Sequence, residues 1–377
     1  MSIGYGQICY WSKENGPMHL KHLELHGFKS FPDRTVIECA NIGLQVFTGN
    51  DSSDLFNIFR FALMETRVRN LDCNKLVEMI CDEHAYNEAN IKIEHAETIY
   101  DGSTSIHIRR RYFRSGESEY LINWLPCRLT DIKNLLDKQI SVESISVWGS
   151  YDRKRFVDLA PEIRRRLWDI PLGVKKKMKK LSLQSKSIWD KKFEMEWMEK
   201  QLKDLSKQLY TSNNKASIDW PENQVEYIKK IQHRRDSIIE EYNTFRESLE
   251  RMEKEHAELQ GEVVLLIETE FQRLNQVFIQ QMRHWTGKSA KLVLDLNIPL
   301  ISGISIDGLP DSMSLEERNA VGWAFWTACM TVAKPPISLV QIDSKLDEPH
   351  KEQILTILNE LSPNTQILVF NNGSWTL

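Results

Sequence analysis

Hydrophobic residues near the start of the chain fall in short runs that alternate with polar residues. The segment HLKHLELHGFKSF, residues 19–31, alternates, and TVIECANIGLQVF, residues 35–47, becomes continuously apolar at its end. This pattern predicts a strand at the edge of a sheet, followed by a buried strand. A turn at Gly49 and an apolar helix over residues 58–64 are expected next.

Alternation returns in residues 91–122. The segments IKIEHA, TSIHIRRRYFR and SEYLIN are separated by Asp101-Gly102 and Ser115-Gly116. Glycine after a small polar residue is typical of tight turns between antiparallel strands. The sequence therefore predicts a meander of strands here, whereas residues 70–90 are polar and match no clear pattern.

The middle of the chain has the spacing of a coiled coil. From Ile228 to Leu266, apolar residues recur at alternating steps of three and four, which is the heptad pattern of packed helices. The charged segment before it carries a thinner apolar seam, and a polar spacer at 211–222 separates the two. We expect an antiparallel helical hairpin over residues 175–285.

Composition limits the class of protein. The chain has 377 residues, of which 41% are hydrophobic and 27% charged, and a formal net charge of −4. A large core is expected, but binding of nucleic acid through bulk positive charge is not. The six cysteines form no C-x-x-C pair, which predicts reduced thiols in the cytoplasm and no zinc site. Residues 1–17 lack the pattern of a secretory signal and are expected to be an extension, and no apolar stretch is long enough to span a membrane.

The turn at Gly49 stands where a phosphate-binding loop would lie. Such a loop reads G-x-x-x-x-G-K-[ST], with a lysine for the outer phosphates and a hydroxyl for Mg²⁺. Counted from Gly49, the second glycine is Asp54, the lysine is Leu55 and the hydroxyl residue is Phe56. On this local pattern alone, an ordinary turn is the more common explanation.

The flanking residues favour a degenerate nucleotide-binding loop instead. The relevant motifs are Gly27-Phe28-Lys29-Ser30-Phe31, the later Asn57-Ile58, the segment RYFRSGESEYLIN, and Pro161-Glu162 with Arg164-Arg165. At these motifs the chain is similar to the head of SMC proteins, the structural-maintenance-of-chromosomes ATPases. This resemblance implies an α/β fold, an ABC-type head of two lobes with an inserted antiparallel coiled-coil hairpin. The lobes would be residues 18–174 and 286–377.

The same resemblance implies that the catalytic residues are replaced. Ser150 stands at the glutamine of the Q-loop, Ser314-Leu315-Glu316 at the serine and paired glycines of the signature motif, and Val340 at the metal-binding aspartate. Gln341 stands at the catalytic glutamate and Asn372 at the switch histidine. We expect no ATP hydrolysis, no bound cofactor and no metal, because phosphoryl transfer depends almost wholly on such positioned charges.

Three functions remain open at this point. The first is a non-catalytic binding or regulatory protein, in one form a decoy, that engages an SMC subunit, a kleisin-type linker, another protein of the same operon or DNA. The second is one deviant half of a composite ATPase that still binds ATP with a partner head. Apart from hydrolysis, the Lys29-Ser30-Phe31 segment is a place that could still hold a nucleotide base. The third is a scaffold whose coil recruits another coiled coil. The expected location is the cytoplasm, in one form associated with the nucleoid.

Two basic clusters are the candidates for contact with double-stranded DNA. They are Arg109, Arg110, Arg111 and Arg114 on a predicted strand and turn, and Lys175, Lys176, Lys177, Lys179 and Lys180 at the start of the coil. A solvated charged face explains both clusters as well. His256 is expected to be a seam residue, and Trp323, Phe325 and Trp326 are expected in the core.

Overall fold

The computed structural model describes residues 18–63, 73–95, 100–135, 145–169, 174–214, 222–342 and 348–371. Within them the chain forms two compact units, Met1–Lys175 with Glu268–Leu377, and Lys176–Ile267. The predictions for residues 1–17, for Asn372 and for the side chains of Lys175 and Lys176 lie outside the described residues.

The first unit contains a six-stranded antiparallel sheet in the order β2-β1-β4-β5-β6-β7. Its strands are β1 (Met18–His26), β2 (Thr35–Glu38), β4 (Tyr86–His95), β5 (Ser105–Phe113), β6 (Ser118–Ile122) and β7 (Leu125–Cys127). The predicted meander is thus confirmed as β4 to β6. The prediction that the first strand is an edge is wrong, because β1 pairs with both β2 and β4.

A parallel four-stranded sheet forms the other half of this unit, in the order β3-β12-β11-β8. Its strands are β3 (Gly43–Thr48), β8 (Ile145–Trp148), β11 (Ile337–Ile342) and β12 (Gln366–Asn371). A short pair, β9 (Lys291–Val293) with β10 (Ser305–Asp307), lies apart from both sheets. The parallel strands are buried on nearly every residue, as is usual for parallel sheets covered on both faces.

Short helices accompany the sheets. They are α1 (Ser52–Ala62), α2 (Cys73–Glu78), α3 (Leu129–Leu135), α4 (Ser150–Lys154), α5 (Pro161–Asp169), α8 (Leu315–Ala333) and α9 (Glu348–Leu361). Trp323, Phe325 and Trp326 in α8 have no exposed surface, so their predicted place in the core is confirmed. Helix α1 packs into a hydrophobic core with residues of both large sheets.

Two long helices form the coil. They are α6 (Val174–Asn214) and α7 (Glu222–Thr286), and the second unit takes residues from both. Leu205, Leu209 and Ile231 are buried together in its seam. His256 lies on the seam side, where its Nε2 is 2.8 Å from the hydroxyl oxygen of Ser185. The first four residues of the predicted spacer, 211–214, belong to α6, and residues 215–221 lie outside the described residues.

Candidate functional site

The turn after β3 is shorter than a phosphate-binding loop. Strand β3 ends at Thr48 and α1 begins at Ser52, so three residues connect them. Gly49 has φ of +120°, in the left-handed region that favours glycine. The residues that would curve around a phosphate, 52 to 54, form the first turn of the helix instead.

Backbone amides of this turn are bonded to the chain itself. The N–H of Gly49 donates to the carbonyl oxygen of Asn371 at 3.3 Å, and the N–H of Ser52 donates to Gly49 at 3.1 Å. The N–H of Leu55 donates to Asp51 at 2.9 Å. A phosphate site works by directing free amides at the anion. These three amides do not do so here, because they are already bonded to the chain.

The side chains at the lysine and hydroxyl positions point into the core. Leu55 and Phe56 are each 1% exposed. The Phe56 ring lies 5.3 Å from the ring of Phe370 on β12, and the guanidinium of Arg60 lies 5.5 Å from the Phe56 ring centre. The two positions therefore contribute packing and offer neither a cation nor a metal ligand.

Asp54 occupies the position of the second loop glycine and is exposed. Its carboxylate accepts a hydrogen bond from the hydroxyl of Ser30. This bond joins the loop to the Lys29-Ser30-Phe31 segment, the candidate place for a nucleotide base. A carboxylate here would repel a triphosphate.

A side-chain amide lies where the family has its catalytic carboxylate. Nε2 of Gln341 donates to the hydroxyl of Ser53 at 2.7 Å, and its Oε1 accepts from the backbone N–H of Ser150 at 3.2 Å. One residue of β11 thus connects the degenerate loop with the Q-loop position. The neighbouring Val340, at the position of the metal-binding aspartate, has no exposed surface.

Arg153 supports this arrangement and was missed in the sequence. It is fully buried, donates to the carbonyl oxygens of Gln341 and Trp148, and places its guanidinium 3.9 Å from the ring centre of Trp323. Sequence spacing gives no signal for it, because the contacts come from separate strands and helices.

The signature segment keeps its structural role as a helix start. The Ser314 hydroxyl accepts from the N–H of Glu317, whose carboxylate accepts from the N–H of Ser314, which forms a capping box. Lys288 donates to Glu317 at 2.6 Å, and this hydrogen bond is the main cause of the lowered pKa of the Glu317 carboxyl. Leu315 and Glu316, at the two glycine positions, are exposed, and Leu315 is 61% exposed.

Together these features do not fit Mg²⁺ and ATP. Three amides of the turn are bonded internally, two of the key side chains are buried, and Asp54 adds a negative charge to the turn. Gln341, Ser53 and Ser150 come together, whereas Ser314, Leu315 and Glu316 lie at the start of the separate helix α8.

The arginine candidates for DNA contact separate into two faces of β5. Arg110 is 4% exposed, and its guanidinium lies 4.2 Å from the ring centre of Phe61 and donates to the Phe61 carbonyl oxygen. Its prediction as a phosphate contact is wrong, because this side chain belongs to the core.

The other three arginines are held by contacts within the chain. Arg111 forms ion pairs with Glu88 and Glu119, and Arg109 lies 3.6 Å from Glu88. Arg114 donates to the carbonyl oxygens of His84 and Cys81. In the coil, Lys179 and Lys180 are exposed and Lys177 is partly buried.

The fold and the site define an SMC-type head with a coiled-coil hairpin. The family model described as the RecF/RecN/SMC N terminal domain matches residues 19–374, and the chain belongs to this family.

Among curated relatives, the Chromosome partition protein Smc of Lactiplantibacillus plantarum is 32% identical over 170 residues, which are 42% of this chain and 14% of that protein. The protein of the same name from Bacillus subtilis is 27% identical over 230 residues, 57% of this chain and 19% of that protein. The chain thus spans less than a fifth of the length of these relatives.

Solved structures agree on the fold. The Smc head domain of Pyrococcus furiosus with an extended coiled coil, bound to the C-terminal domain of ScpA, has a TM-score of 0.65 at 20% identity, covering 93% of this chain and 89% of that one. The Smc head with coiled coil and joint of Pyrococcus yayanosii has a TM-score of 0.66 at 16% identity, covering 94% and 92%. The expected head with an inserted antiparallel coil is confirmed. In the parts of the chain that the structure describes, no helix is both long and apolar enough to cross a membrane.

Proposed function

We propose that this protein is a non-catalytic SMC-type head that acts by binding a protein partner. The observation that carries the proposal is the bonding of the loop amides to the chain, with Leu55 and Phe56 buried beneath them. These three amides and two side chains are therefore not available to hold the phosphates or to polarise them.

The test of inactivity is direct. The purified full chain is titrated with a fluorescent ATP analogue and Mg²⁺ up to about 1 mM, a concentration that detects binding free energies as weak as about −4 kcal/mol. Phosphate release is measured in parallel, with an authentic Smc head as the positive control. We expect neither binding nor hydrolysis, and saturable binding by the chain alone would contradict the proposal.

The proposed partner is a kleisin-type protein or an SMC subunit. This rests on the family and on the Pyrococcus furiosus head, which was solved bound to the C-terminal domain of ScpA. The experiment is co-purification of the full chain with the kleisin and the Smc protein encoded in the same genome. Nucleotide binding that occurs only when an Smc head is added would favour the composite ATPase instead.

DNA binding is the second candidate, and the exposed Lys179 and Lys180 on α6 are the observation that favours it. Fluorescence anisotropy with a duplex should show binding that weakens as salt rises, because each phosphate contact releases a counterion. The double variant Lys179→Glu, Lys180→Glu should remove binding. If Arg110 variants have an effect, we expect it to come through folding, because that side chain is buried.

A further inference from the structure

Helix α6 carries a row of exposed aromatic side chains. Trp189, Phe193 and Trp197 are 66%, 62% and 58% exposed, and steps of four residues place them along one face. The rings of Trp189 and Phe193 stack 6.1 Å apart at 17°. We call these three residues the aromatic ridge. An exposed apolar surface of this kind marks an interaction site.

The aromatic ridge is separate from the seam of the coil. The seam of α6 buries Leu181, Met198, Leu205 and Leu209 to 8% exposure or less. Trp189 also borders a groove against Glu253 and His256 of α7. All three rings stay more than half exposed, so most of the ridge is left uncovered in the part of the chain that the structure describes.

Charged residues lie on the same face, Lys186, Lys200 and Asp204 beyond the ends of the aromatic ridge and Asp190 within its span. With 100° per residue, Lys186, Lys200 and Asp204 point within about 20° of Phe193, and Asp190 within about 60°. All four are exposed, and the described residues offer none of them an ion pair. From its N-terminal end, the face carries Lys186, then the aromatic ridge, then Lys200 and Asp204; Asp190 lies at one side of the ridge, and the exposed Glu196 lies about 60° from Phe193 at the other side.

We propose that the aromatic ridge joins two copies of this chain through antiparallel α6 helices, with Phe193 of each copy against Trp197 of the other. In this register Lys186 lies opposite Asp204 of the second copy, and Asp190 lies opposite Lys200. The two-fold symmetry produces each pair twice. Charge complementarity therefore accompanies the aromatic contact.

Two other alignments of the same surface bring like charges together. If Phe193 faces Phe193, Lys186 of one copy lies opposite Lys200 of the other. If two copies align in parallel and in register, each lysine faces its equivalent. Like charges across an interface are unfavourable, so the charges disfavour both of these alignments relative to the register that pairs Phe193 with Trp197.

The size of the surface predicts a weak association. Aromatic side chains provide about 150–250 Å² each, so the three exposed fractions amount to about 370 Å² in each copy. Stable interfaces bury about 800 Å² in each partner, and smaller ones are transient. The charged residues at the ends enlarge the contact, and a micromolar dissociation constant is expected.

Sedimentation velocity of the full chain from about 1 to 100 µM tests the proposal, a range that covers micromolar dissociation constants. We expect a concentration-dependent monomer–dimer equilibrium that Phe193→Glu abolishes. Tyr210→Glu is the matched control: this aromatic residue is 69% exposed on the same helix but points about 100° away from Phe193. A chain that stays monomeric, or a dimer that Phe193→Glu leaves intact, overturns the proposal.

A charge swap tests the register. Lys186→Glu and Asp204→Lys should each raise the dissociation constant about tenfold, because two pairs change from attraction to repulsion. The double variant restores opposite charges and should return to within about threefold of the native value. If the double variant dimerises no better than the single ones, the proposed register is wrong. All substituted residues are exposed, and circular dichroism is used to check that each variant folds.

Discussion

Nε2 of Gln341 donates a hydrogen bond to the hydroxyl of Ser53 at 2.7 Å. These two residues lie 288 positions apart, one on β11 and the other in the first turn of α1. By its resemblance to SMC heads, position 341 is the one expected to carry the catalytic glutamate. Here an amide, which can donate as well as accept, joins parts of the site to each other. Gln341 thus links β11 to the start of α1 and to the start of α4.

We expect Gln341→Met to destabilise the head by about 1–3 kcal/mol. The methionine keeps the volume but removes the bonds to Ser53 and to the Ser150 N–H, and partly buried polar groups lose stabilisation when a partner is removed. Urea denaturation followed by circular dichroism measures the change.

Gln353→Met is the matched control for this experiment. Gln353 lies on α9, and its amide makes a long contact of 3.5 Å with Gln281, so a change below about 0.5 kcal/mol is expected. Equal losses of unfolding free energy in the two variants would show that the Gln341 contacts contribute no more to stability than the long Gln353 contact.

Local patterns were sufficient to predict much of the fold. The heptad spacing gave the coil, and the glycine at Gly49 gave the turn between β3 and α1. The motif glycine Gly27 has φ of +76°, and a Cβ there would meet the carbonyl oxygen of Tyr86 at 2.4 Å. Its presence in the motif thus has a steric cause.

The predictions that were wrong concerned which strands pair and which face of a strand a residue occupies. β1 was predicted as an edge because nothing local shows that β4 returns to its other side. Arg110 was grouped with its neighbours, although a strand period of two places it on the buried face with Ile108, opposite to Arg109 and Arg111. That signal was present in the sequence. The contacts of Gln341 and Arg153 had no such signal, since they join distant segments.

Gln366 should be among the most sensitive polar residues of the head. Its amide exchanges two hydrogen bonds of 2.8 Å with the backbone of Leu20 and also donates to the carbonyl oxygen of Ala40. The residue is 1% exposed and connects the parallel sheet to the antiparallel sheet. We expect Gln366→Met to cost about 2–4 kcal/mol in urea denaturation, because buried backbone groups lose their partners.

A second variant tests the donor role of that amide. Gln366→Glu keeps the shape but directs a carboxylate at two carbonyl oxygens, and a larger loss than in Gln366→Met is expected. If the glutamate variant is as stable as the native protein, the amide is not the link between the sheets.

Stability should fall on mild acidification. Burial lowers the pKa of His107 below its ordinary value, with His22 adding to the effect, and burial likewise lowers the pKa of His19. A histidine with a lowered pKa in the folded state contributes stability that is complete above about pH 6.5 and is lost as the pH falls toward the folded pKa. Thermal unfolding between about pH 7.5 and 5.5 measures this loss.

His107→Gln should reduce that loss, because one of the two histidines no longer takes up a proton on unfolding. His233→Gln, an exposed position on α7, is the control and should leave the pH dependence unchanged. A pH dependence that is the same in all three proteins would exclude His107 as a cause.

Placing a lysine at position 55, where a phosphate-binding loop has one, should lower the stability of the protein and should not create ATP binding. Leu55 is 1% exposed and belongs to the core that α1 shares with both sheets. Leu55→Lys places an ammonium group among apolar side chains, which is expected to cost at least about 3 kcal/mol in urea denaturation. Leu55→Met, which keeps size and polarity, should cost less than about 1.5 kcal/mol.

ATP with Mg²⁺ should not raise the unfolding midpoint of Leu55→Lys, because the amides of Gly49, Ser52 and Leu55 remain bonded to the chain. A stable Leu55→Lys protein that ATP stabilises further would show that an open phosphate site needs only its lysine, and that the loop is not closed by its own backbone.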